Sequence, residues 1–159
     1  NILDKLSKLD PSITSRIQLS GDSISLGTSA EPPKTPYLVE TQSDHFVLLM
    51  VNPLQTDINA LKIRIADFNE RAFRLENFYT SDILLNDTLQ IISIGVFKNA
   101  SKAMDYYHHI LDNEYVFSML KEKFHETFVI STKNYQTFYQ DRDISKYKSF
   151  FNKEYLKKN

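Results

Sequence analysis

Between His45 and Asn52 the chain reads HFVLLMVN, a continuous apolar run that ends at Pro53. Such a run predicts a strand covered on both faces. Thr56 or Asp57 can then cap a helix in which Ile58, Leu61, Ile65 and Phe68 recur at spacings of three and four. FYTSDILLND predicts a second strand, Asn86-Asp87 a two-residue hairpin turn, and TLQIISIGVF a third strand. A helix over Ser101–Leu111 follows, with Ala103, Tyr107, Ile110 and Leu111 facing inward. NEYVFSMLKEK reads as a short helical connection and HETFVIS as a fourth strand. NYQTFYQ and ISKYKSFFNKEYL predict two short helices rich in aromatics. Tyr135, Phe138 and Tyr139 are spaced for one face, and Tyr147, Phe150, Phe151 and Tyr155 form another stripe. The order β-α-β-β-α-β predicts an α+β fold of the ferredoxin-like, split-βαβ kind with additional C-terminal helices.

An internal repeat supports this order. Shifted by 43 positions, FVLLMVNPLQTDINALKIRIADF lies over LQIISIGVFKNASKAMDYYHHIL, so Val51 meets Ile94, Asn52 meets Gly95, Leu54 meets Phe97, Ala60 meets Ala103 and Phe68 meets Leu111. Two βαβ halves related by a pseudo-twofold should each carry one such strand-to-helix signature. In this reading Gly95 shapes a turn or bulge, Phe97 plugs the core, and the two alanines let their helices approach the sheet closely.

Ahead of Tyr37 the pattern changes. Ile2, Leu3, Leu6 and Leu9 share a helical face, and Pro11 stops it. From Ser20 to Pro36, Gly21, Gly27, Pro32, Pro33 and Pro36 sit among Ser and Thr, which is linker composition. Residues 1–36 are therefore expected to be a helix end plus linker, and residues 37–159 the compact domain. With Asn1 in first place, the sequence reads as a fragment whose targeting signal would lie upstream.

Composition narrows function mainly by exclusion. A hydrophobic fraction of 42% in 159 residues supports one real core. The formal net charge of −1 gives no global attraction to nucleic acid or an anionic membrane. No cysteine is present, so thiolate chemistry and disulfides are out, and no apolar run reaches the roughly 18 residues a membrane span needs.

Candidate chemistry is sparse. A phosphate cradle at Gly95 would need several converging backbone N–H groups, and the whole chain has three glycines. Asp105 and His109 are four apart on a helix, with His108 and His125 as further ligands, but adjacent His108 and His109 point about 100° apart. Asp67, Glu70, Glu76, Asp82 and Asp87 are spread over a helix face and turns and read as solvated surface. From Lys133 onward, seven basic residues stand against three acidic ones among many aromatics. A nucleic-acid platform would display aromatics on its central strands, yet those strands are aliphatic. No catalytic, cofactor or metal residue is nominated, and an enzyme is not expected. Lys98, Asn99 and Lys102, at the start of the second helix, are the polar positions the fold does not obviously need, and they are the candidate contact surface.

LQIISIGVFKNASKAMDYYHHI, within Asp44–Ser131, resembles the sporulation-related repeat (SPOR) domain, whose halves carry a Gly-x-Phe-like strand end before an Ala-bearing helix. The longer pattern formed by KIRIADFN, SDILLNDTLQIISIGVFKNASKAMDYYHHI and FVISTKNYQTFYQDRDISKYKSFFNKEYL resembles the SPOR-like C-terminal domain of large tetratricopeptide-repeat lipoproteins of Bacteroidetes that assist type IX protein secretion and gliding motility. This resemblance implies a periplasmic scaffolding domain, anchored at the outer membrane through regions outside the sequence, with protein partners in an envelope secretion complex. SPOR domains bind peptidoglycan glycan strands on an open sheet face, which makes peptidoglycan the alternative partner. The sequence departs from the SPOR pattern at Asn52-Pro53-Leu54, where Gly-x-Phe would stand. Its central strands are apolar on both faces, so the second face must be covered, and Asn134–Tyr155 are the expected cover.

Overall fold

The computed structural model describes residues 35–157, which belong to one compact unit, Thr35–Asn159. The helix expected near the amino terminus and the linker stretch up to Lys34 lie outside the described residues. The elements are β1 (His45–Val51), α1 (Ile58–Ala72), β2 (Tyr79–Asn86), β3 (Leu89–Phe97), α2 (Ala100–Leu111), a short α3 (Glu114–Phe117) with a 3-10 turn at Ser118–Leu120, β4 (His125–Ser131), α4 (Thr132–Asp141) and α5 (Ile144–Glu154). The fold is α+β, with a four-stranded antiparallel sheet in the order β2-β3-β1-β4.

Register assigns the strand side chains to two faces. Leu48 stands opposite Ser93 and Phe128, and Met50 opposite Ile91 and Glu126. Val47 and Leu49 stand opposite Ile94 and Ile92 on the other face. Asp82 is opposite Ile92 and accepts from Lys62 of α1, which marks that face as the one beneath α1 and α2. Across the Leu48 face, the Tyr135 ring of α4 meets Phe46 edge-on at 5.9 Å. Tyr147 and Phe151 of α5 meet Phe128 at 5.4 and 5.5 Å, and Lys148 pairs with Glu126. Both faces of the central strands are therefore covered. That explains their unbroken apolar run, since each fully buried large side chain contributes roughly 1.5–3 kcal/mol.

The helices start where side-chain oxygens cap them. Asp57 caps α1, Asn99 α2, Asn113 α3, Ser131 α4 and Asp143 α5. α4 ends at Arg142, which takes left-handed backbone geometry (φ 58°) and turns the chain back into α5. Ahead of the sheet, Asn134 clamps the Leu38 backbone at two points, accepting from its N–H and donating to its carbonyl. Tyr37 then packs on Tyr147 and Phe150.

Several sequence expectations need correction. The hairpin turns through Asp87 and Thr88, because Asn86 still pairs with Leu89. The two halves align at a shift of 42 over their helices, as the caps Asp57 and Asn99 show. Leu61, Ile65 and Phe68 thus match Ala103, Tyr107 and Ile110, all buried. Beyond the strands, where Val51 and Ile94 are both buried, the 43-shift partners fail: Leu54 is 77% exposed where Phe97 is buried, Leu111 points outward while Phe68 is buried, and only Ala103 of the alanine pair is fully buried. Tyr106, unassigned by the pattern, is fully buried and bonds Asn69 of α1 through its hydroxyl. Tyr139 is exposed, so the α4 aromatics do not form one buried stripe.

Candidate functional site

The corner between β3 and α2 holds the three candidate contact residues. The register of β1 on β3 slips by one residue between the pairs His45–Phe97 and Val47–Ile94, which places a bulge at Gly95–Val96. Gly95 lies inside β3, opposite Tyr79, and does not form a turn. A Cβ there would come within 2.7 Å of the Phe46 ring and 3.3 Å of the His45 carbonyl, so its role is close approach. The bulge turns Val96 outward and Phe97 inward, onto Tyr106 and Phe78.

At that corner Asn99 is engaged as the α2 cap, its side chain accepting from the Lys102 N–H at 2.9 Å. Lys98 and Lys102 are exposed and border a surface cleft of about 540 Å³, shared with Phe73, Phe78, Val96 and Glu76. Asp105 also lines it, so two ammonium groups face two carboxylates around an aromatic floor. The cleft thus has no net charge preference. It offers apolar contact with a mixed rim, which suits a protein side chain better than a small anion.

The histidines do not gather. His109 lies near Asp105, both exposed on one turn of α2, while His125 heads β4 beside Phe117. Among the described residues no group of three or more metal-ligating side chains forms. The acidic residues that do make contacts are held by neighbours. Lys62 and Gln90 both donate to Asp82, and Lys62 holds its carboxyl below the usual carboxylate range. Asp67 accepts from the Tyr115 hydroxyl, beneath a stack of Arg64 and Arg71 on that ring.

One buried polar residue escaped the sequence reading. His45 begins β1 with no exposed surface, its Nδ1 donating to the Ser43 carbonyl at 2.7 Å. That fixes the tautomer, so Nε2 accepts from the Tyr155 hydroxyl at 2.8 Å. Burial lowers the His45 pKa and pushes Tyr155 up to about 12. The pair pins the end of α5 to the start of the sheet. A lone polar residue heading an apolar strand was the available signal.

The two margins of the sheet differ. Along β4, α5 is seated, with the Tyr147 hydroxyl donating to the Val129 carbonyl. Along β2, Tyr79 is 79% exposed, Leu84 57%, and Ser81, Asp82 and Ile83 are also exposed. Among the described residues the only side chain that bonds the β2 backbone is Arg142, at the Leu85 carbonyl.

Among the described residues no helix is long and apolar enough to cross a membrane. Comparisons of the chain with protein-family models, curated proteins and solved structures find no match.

Proposed function

We propose that residues 35–157 form a non-catalytic protein-interaction domain of ferredoxin-like, SPOR-like architecture. The strand order β2-β3-β1-β4, with a helix after β1 and another after β3, supports the ferredoxin-like assignment. The observation that carries the functional reading is the doubly covered sheet. Among the described residues no three metal-ligating side chains gather, while contact surface remains at the β3–α2 corner and along β2. On the sequence resemblance, the setting is a periplasmic, outer-membrane-anchored lipoprotein that scaffolds type IX secretion and gliding motility. Its partners are then proteins of the envelope complex, with neither nucleic acid nor membrane insertion by this segment.

Affinity purification of the parent protein from envelope extracts, with and without residues 35–157, tests the reading. Loss of one or more secretion-complex partners is the expected result. An unchanged partner set sinks the proposal.

A second reading, peptidoglycan binding, has one observation in its favour. The outer flank of α4 presents Tyr135, Gln136, Tyr139 and Gln140 around an apolar groove of about 420 Å³. Rings and amides of this kind suit sugar faces and hydroxyls. The sheet face that SPOR domains use for glycan is, however, occupied here by α4 and α5. Retention on purified sacculi that is lost in Tyr139→Ala would favour this reading, and no retention removes it.

A further inference from the structure

The β2 margin combines three properties seldom left together on a monomer. It is a strand of eight residues, its exposed side chains include Tyr79, Ile83 and Leu84, and it carries neither Lys nor Pro. Its one charge, Asp82, is turned toward Lys62 and Gln90 on the α1 side. Only the far end is blocked, where the register slips between Leu84 and Asn86 and Arg142 bonds Leu85.

We infer that this margin pairs with β2 of a second copy of the chain, antiparallel about a twofold axis at Ser81. The sequence of the strand selects that centre. With Ser81 opposite its counterpart, Tyr79 faces Ile83 and Thr80 faces Asp82. Aromatic meets β-branched and hydroxyl meets carboxylate, which are favourable cross-strand pairs. A centre at Asp82 sets two carboxylates directly opposite, and one at Ile83 sets Tyr79 against Asp87. The Ser81 centre also keeps the contact within Tyr79–Ile83, clear of the blocked end. Because a twofold normal to the sheet keeps each face on its own side, α1 of both copies stays on one face and α4 on the other. The result is a continuous eight-stranded sheet. The pairing is independent of the envelope role proposed above.

Sedimentation velocity on the whole 159-residue chain over a range of concentrations is the first test, with a reversible monomer–dimer equilibrium expected. Ile83→Lys, at an exposed position, should weaken dimerisation by at least about tenfold while leaving the thermal midpoint near wild type. Position is read separately. The chain has no cysteine, so Ser81→Cys introduces a single thiol that the twofold places opposite its counterpart. Mild oxidation should link Ser81→Cys into a disulfide dimer much faster than Asp87→Cys. A monomer at every concentration overturns the inference. So does a dimer that Ile83→Lys leaves intact and whose Ser81→Cys thiols link no faster than the control. Protection of β2 amides from exchange only when a different protein is added would reassign the margin to that partner and equally overturn self-pairing.

Discussion

At Gly95 the governing quantity is a distance. A methyl group would press on the Phe46 ring, which is itself braced edge-on by Tyr135 of α4. Gly95→Ala should therefore destabilise the domain by about 1–3 kcal/mol, the usual penalty for overpacking. Urea unfolding measures it, and a midpoint equal to wild type would show that the ring yields freely. His45 makes a prediction with a sign. Burial holds its folded pKa below the unfolded value of about 6.5, so the unfolded state binds the proton more readily. The stability it contributes is present above about pH 6.5 and is lost as pH falls through the folded pKa. Glu40 and Asp44 oppose the shift without reversing it. His45→Gln should lower stability at neutral pH yet shrink the drop between about pH 7.5 and pH 5.5. An equal drop in both proteins would assign the acid sensitivity to other groups.

At the scale of elements, caps and hydroxyl bridges decide where each helix sits. Asn99→Ala removes the α2 cap and should cost about 1 kcal/mol in thermal or urea unfolding. Because Asn99 is occupied in this way, the same substitution should leave partner capture unchanged, whereas the double change Lys98→Glu with Lys102→Glu should reduce it if the corner cleft is the contact. Tyr147→Phe keeps the packing on Phe128 but drops the bond to Val129, an expected loss of about 1 kcal/mol. Tyr147→Ala should lose about 3–5 kcal/mol. Similar losses for the two variants would mean the ring packs less than the structure implies.

The elements themselves were legible because their signals are local. HFVLLMV and HETFVIS match β1 and β4, and both aromatic-rich helices are present. What sequence could not supply were relations set by three-dimensional neighbours. The 42-residue shift between helices emerges only once the caps are seen, because the connection from Ile94 to Asn99 is one residue shorter than that from Val51 to Asp57. Leu54 and Phe97 look alike in a pattern, yet one ends in solvent beyond a turn while the other is carried inward by the bulge. Asn134, an ordinary polar letter in NYQTFYQ, becomes a buried two-point clamp because Leu38, 96 positions away, passes beside it. At the corner, the exposure of Lys98 and Lys102 was readable from polarity, but the cleft they border is made by Phe73 and Phe78 from a distant loop.

At the scale of the whole molecule, the two sheet faces have different histories in the chain. One is covered by α1 and α2, which belong to the repeated halves, and the other by the helices that follow β4. Truncation after Ser131 should uncover Leu48, Met50, Phe128 and Ile130 together. Loss of cooperative unfolding and strong binding of an apolar dye are the expected outcomes, and a folded, dye-silent fragment would show that the repeated halves suffice.

The seat of α5 along β4 bears on more than stability. A sheet with two open margins can act as a link in a polymer, since every copy that joins offers a fresh margin to the next. Here one margin is closed from within by Tyr147 and its neighbours, so the molecule behaves as a chain stopper. Growth through β2 ends at two copies, and a bare, sticky strand becomes safe to carry. The helix that finishes the fold is then what separates a pair from a fibre.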